Sequence, residues 1–76
     1  MRWETIPIPE SSNIKKVLYN GEVAKMRITF KNNRTYEYDN VPRSIPDGMK
    51  ASESAGKFAH AKVYPRYHGK DVSDVV

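Results

Sequence analysis

Between Val23 and Phe30 the chain reads Val-Ala-Lys-Met-Arg-Ile-Thr-Phe, with Ala24, Met26, Ile28 and Phe30 on one side of a period-two pattern and Lys25, Arg27 and Thr29 on the other. Such alternation suits a strand with one face in a core and the other in water, the mark of an antiparallel sheet. Residues 14–20 predict a preceding strand with Val17 and Tyr19 on one face, and Asn20-Gly21 behind it predicts a type I′ hairpin turn. Lys31-Asn32-Asn33-Arg34 predicts the next turn, because asparagine tolerates left-handed backbone. Residues 34–41 alternate again, Tyr36 and Tyr38 against Thr35, Glu37 and Asp39. Glu37 is expected beside Arg27 as a cross-strand pair.

The pattern changes after Val41-Pro42. Ser44-Ile45-Pro46-Asp47 predicts a helix capped by Ser44 and running to about Ser52, weakened by Gly48. A second helical stretch is predicted from about Ser54 to Val63, capped by Ser54, with Ala51, Ala55 and Phe58 along its apolar stripe and Gly56 allowing close approach to the sheet. Tyr64-Pro65 ends it, since a residue before proline avoids the helical region. The expected fold is α+β, a small three-stranded antiparallel meander with one or two C-terminal helices packed on one face. Residues 1–12, with Pro7 and Pro9, are read as an extended N-terminal segment, 13–66 as a single domain and 67–76 as a short tail. The expected core is Val17, Tyr19, Met26, Ile28, Phe30, Tyr36, Tyr38, Val41, Ala55, Phe58 and Val63.

At 76 residues there is room for one small domain. The absence of cysteine excludes a disulfide scaffold, thiolate zinc and thiol catalysis. No apolar run approaches the roughly 20 residues needed to span a bilayer, and the N-terminus lacks a secretory apolar region, so a membrane-free, reducing compartment is expected. Ser54-Ala55-Gly56-Lys57 is not a phosphate loop: Ala51 stands where its first glycine belongs and Phe58 where its Ser/Thr belongs. His60 and His68 are eight apart with no third ligand type beside them, so no metal site is expected. Glu37 and Asp39 read as a solvated face. No catalytic residue, cofactor or enzymatic activity is expected, because no acid, base and nucleophile converge.

Several blocks, in order, resemble the KTSC domain family: Ser11-Ser12-Asn13-Ile14, Val17-x-Tyr19-Asn20, Met26-x-Ile28-x-Phe30, Tyr36-x-Tyr38-x-x-Val41-Pro42, and Ala51-x-x-Ser54-Ala55-Gly56-Lys57-Phe58. The resemblance covers about residues 11–66. The family usually has glycine in the turn before the Tyr-x-Tyr strand, where this chain has Asn33-Arg34. Among stand-alone members the chain looks most like the class of small RNA-polymerase-binding regulators of lytic Xanthomonas phage, by size, layout, free N-terminal segment and basic balance. That resemblance implies a monomeric phage-type transcription regulator in the host cytoplasm. It would bind host RNA polymerase, inhibit initiation by sigma displacement and promote antitermination, with RNA or DNA contacted within the complex.

The chain carries 13 Lys and Arg against 9 Asp and Glu, and its charge is segregated. From Ser54 to Lys70 there are four cations, Lys57, Lys62, Arg66 and Lys70, and no acid. These four are the expected contact to nucleic acid or an acidic surface, with Tyr64 and Tyr67 available for stacking. The alternative is a general RNA/DNA-binding module acting through this basic face without polymerase. The apolar N-terminal segment is either a strap over the protein's own core or a handle for a partner. The regulator resemblance favours the handle, and Trp3, Ile6, Ile8 and Arg43 are the expected partner contacts.

Overall fold

In the computed structural model, which describes residues 3–75, the alternating segments form the middle of a five-stranded antiparallel sheet. The elements are β1 (Glu4–Ile6), β2 (Ile14–Asn20), β3 (Lys25–Phe30), β4 (Thr35–Tyr38), α1 (Ser44–Ala51), α2 (Ala55–Lys62) and β5 (Gly69–Asp71). The strands lie side by side in chain order. Tyr19 faces Met26, Ile28 faces Tyr36, and Arg27 stands between Leu18 and Glu37. The expected three-stranded meander is therefore present as β2–β4, flanked by two further strands. β1 stops at Ile6, immediately before Pro7, as suits an edge strand next to a residue that cannot donate to a ladder. β5 comes from the expected tail and pairs with β4, Gly69 opposite Tyr38 and Asp71 opposite Tyr36. Three residues are too few to carry an alternation. The pairing is secured instead by Thr35, whose carbonyl accepts from the Val72 amide at 2.8 Å and whose own amide donates to the Ser73 hydroxyl at 2.8 Å.

Local turn chemistry departs from expectation in two places. No described glycine has positive φ, so Asn20-Gly21 is not a type I′ turn; Ala24, at φ 54°, takes the left-handed position and β3 begins after it. Asn20 turns the chain through its side chain, whose Oδ1 accepts from the Glu22 amide at 3.0 Å. Ser44 does not cap α1 but is its first residue, preceded by Arg43 without a side-chain cap. Two other expectations hold. Asn33 has φ 68°, and Ser54 caps α2, accepting from the Lys57 amide at 3.3 Å.

The helices close one face of the sheet. Val17, Met26, Ile28, Val41, Met49, Ala55, Ala59 and Val63 are wholly buried there, with Tyr19 and Tyr38 nearly so. Ile6 and Ile14 complete the cluster, whereas Phe30, Tyr36 and Phe58 are only partly buried and Ala51 is exposed. Close helix packing belongs to Gly48 rather than Gly56. A Cβ on Gly48 would lie 2.6 Å from the Phe58 ring, while one on Gly56 would meet the Ser11 and Ser54 hydroxyls, at 3.4 and 4.0 Å.

Candidate functional site

The N-terminal segment is bound to the protein's own edge. Ile6 sits opposite Val17 with 5% of its surface exposed, and Ile8 packs partly buried against the core. The Arg27 guanidinium lies 4.2 Å from the centre of the Trp3 ring. Arg43 stacks 5.4 Å from the centre of the Tyr19 ring and pairs with Glu4. Of the four expected partner contacts, one is a core residue and two are engaged within the chain.

Nor do the four expected basic residues form one face. Lys57 and Lys62, both on α2, are five positions apart, which turns them about 140° from each other. Lys70 stands in register with Glu37, on the sheet face away from the helices. Arg66 and Lys70 do meet, lining a shallow concavity with Asp39, Asn40, Tyr67 and His68.

Ion pairing sorts the remaining charge. Glu37 accepts from Arg27 at 2.9 Å, as expected, and from Lys25 at 3.3 Å; Lys25 also reaches Asp39 at 3.4 Å. The Glu37 bond and charge raise the Lys25 ammonium above its ordinary range. Arg34 pairs with Asp71. Among the described residues, Lys15, Lys16, Lys31, Lys50, Lys57, Lys62, Arg66 and Lys70 have no ion-pair partner within the chain.

Lys31 borders a groove of about 360 Å³ where β3 ends and the chain turns into β4. One wall is Gly56 and His60 of α2 and Tyr64 just beyond its end, spaced four residues apart; the other is Phe30, Lys31 and Asn32, with Asn13 at one end. No carboxylate lines it. Its floor continues into partly buried aromatic rings. Tyr64 meets His60 edge-on at 5.1 Å and Phe30 at 6.3 Å, and Phe30 meets Tyr36 edge-on at 5.9 Å. Burial raises the Tyr64 phenol and pushes Tyr38, beside it, up to about 12, so both hydroxyls stay protonated at neutral pH. The groove thus offers aromatic rings, neutral amides and hydroxyls, and a lysine, a set suited to stacking and hydrogen bonding. Among the described residues no group of three or more metal-ligating side chains comes together, and no helix is long and apolar enough to cross a membrane.

Sequence reasoning named Tyr64 and Tyr67 as stacking residues and included Lys31 only within a second basic segment, Lys15 to Arg34; it did not name Asn32 or Asn13, and it counted Phe30 as core. Those positions read as turn punctuation, and nothing local in the sequence brings them to a helix some 30 residues later.

Residues 10–67 match the family model of the KTSC domain. A protein of Tsukamurella paurometabola is 34% identical over 58 residues, which are 76% of this chain and 87% of that one. The crystal structure of a KTSC domain protein from Yersinia pestis superposes with a TM-score of 0.84 at 21% identity, over 93% of this chain and 99% of that one.

Proposed function

The chain belongs to the KTSC domain family, a membership that gives its fold and leaves its activity to be argued from its own residues, and we propose that it is a non-enzymatic module that binds single-stranded nucleic acid in the groove beside α2. The observation that carries this reading is the groove's composition: partly exposed Phe30 and Tyr64 next to Lys31, Asn13 and Asn32, with no carboxylate. Bases of any sequence can stack on such rings, and a flanking cation tracks the phosphates. A carboxylate-free wall avoids repelling the polyanion. The net charge of +4 adds attraction at long range.

The reading in which the protein occupies host RNA polymerase, displacing sigma and promoting antitermination, rests on size, single-domain layout, a free N-terminal segment and basic balance. It assigned contacts to Ile6 and Arg43, which are occupied inside the chain, so the geometry favours nucleic acid.

Fluorescence anisotropy with labelled single-stranded RNA separates the two. The nucleic-acid reading expects micromolar binding by the protein alone, weakening with salt by a log–log slope of about −0.7 per phosphate contacted. Lys31→Glu should weaken binding and flatten the slope without moving the thermal midpoint, because Lys31 is exposed and unpaired. Co-elution with core polymerase, without any RNA shift by the isolated protein, would transfer support to the polymerase reading.

A further inference from the structure

The depression lined by Asp39, Asn40, Arg66, Tyr67, His68 and Lys70 lies at the other end of β4 from the groove, where β4 leaves the sheet and β5 begins. We propose that it is a second subsite for the same strand, holding phosphates downstream of the bases seated against α2, so that the protein reads a footprint of several nucleotides rather than one. This inference rests on the nucleic-acid reading above.

Three observations support it. Arg66 and Lys70 are exposed and have no ion-pair partner among the described residues, so their charge is available to a ligand. The one carboxylate in the depression, Asp39, is countered by Lys25 at 3.4 Å and leaves the local balance positive. The two sites are joined by the short segment that follows α2: Tyr64 lines the groove and Tyr67, three residues on, lines the second depression, both rings partly exposed. The four residues of β4 separate the two ends by about 13 Å at a strand's rise per residue. That span exceeds one nucleotide and fits a footprint of about four or more, the lower range for small single-strand binders. Bases stacked at Tyr64 and Tyr67 would leave the backbone between them facing solvent, with Lys31 at one end and Arg66 and Lys70 at the other.

A length series tests this, using labelled oligouridylates of two to eight nucleotides with the intact chain. Affinity is expected to climb steeply up to about four nucleotides and then level off. The double variant Arg66→Gln/Lys70→Gln should bind the dinucleotide like the parent. On the octanucleotide it should bind more weakly, with a salt slope shallower by about 1.4, two phosphate contacts at 0.7 each. Arg66→Lys/Lys70→Arg should restore the parent slope. Affinity that does not grow beyond two nucleotides overturns the second subsite while leaving the groove intact. So does a double variant indistinguishable from the parent on the octanucleotide. If no oligonucleotide of any length binds, the nucleic-acid reading itself fails and the second subsite falls with it.

Discussion

Asn20 ends β2 wholly buried, its Oδ1 holding the Glu22 amide while Nδ2 finds no partner among the described residues. A buried donor without an acceptor costs about 1–3 kcal/mol. The residue is kept at that cost because the turn to Lys25 needs a side-chain acceptor there. Asn20→Asp retains the acceptor and puts a carboxylate in its place. Burial disfavours the charged form, so the folded state raises that group's pKa above its unfolded value near 3.9. The penalty is then present at neutral pH and vanishes once both states are protonated, below about pH 4. Urea titrations should show the variant less stable than the parent by about 3–5 kcal/mol at pH 7, the cost of an uncompensated buried charge, with the gap closing toward pH 3.5. A gap that stays constant across that range would mean that the side chain is not desolvated.

β3 and β4 were legible because their own residues alternate, and α2 because Ser54 announces it. β1 and β5 were not, since each is three residues long and is held by partners far along the chain. Arg34 reaches 37 positions to Asp71, and Arg43 reaches 39 back to Glu4. The groove was half legible for the same reason: Tyr64 stands out beside its proline, but Lys31 and Asn32 look like any turn. The docking of β5 has a pH signature. Hydrogen bonds from the Ser73 hydroxyl and amide, followed by the Arg34 guanidinium, hold the Asp71 carboxyl down at about 2, from 3.8. A depressed carboxyl contributes stability above its unfolded pKa and loses it as pH falls through the folded one. Protection of the β5 amides, taken relative to intrinsic exchange at each pH, should therefore fall between about pH 4 and pH 2, ahead of protection in β2 and β3. In Asp71→Asn that step should be absent and β5 should exchange faster at neutral pH. A step of unchanged size in the variant would assign the effect to another carboxylate.

At the scale of the whole molecule, the N-terminal segment decides whether the sheet has four strands or five. A chain this short buries only about 60% of its extended surface, so its margin is small. β1 supplies a buried Ile6 side chain, and Glu4 and Trp3 tie the same edge to Arg43 and Arg27. The two exposed contacts contribute little, since surface pairs are worth at most about 1 kcal/mol. Ile6 dominates, at about 1.5–3 kcal/mol for a buried branched side chain. A protein of this size loses about 4–8 °C in thermal midpoint per kcal/mol. Deleting residues 1–9 should then lower the midpoint by roughly 10 °C or more, and Ile6→Ala alone should account for most of the fall. Because the groove lies where β3 passes into β4, on the side facing α2, the truncated protein should still bind single-stranded RNA at a temperature where it remains folded. A midpoint unchanged by the deletion would mean that the segment does not close the core, and would return Trp3 and Ile6 to the role of a handle for another protein.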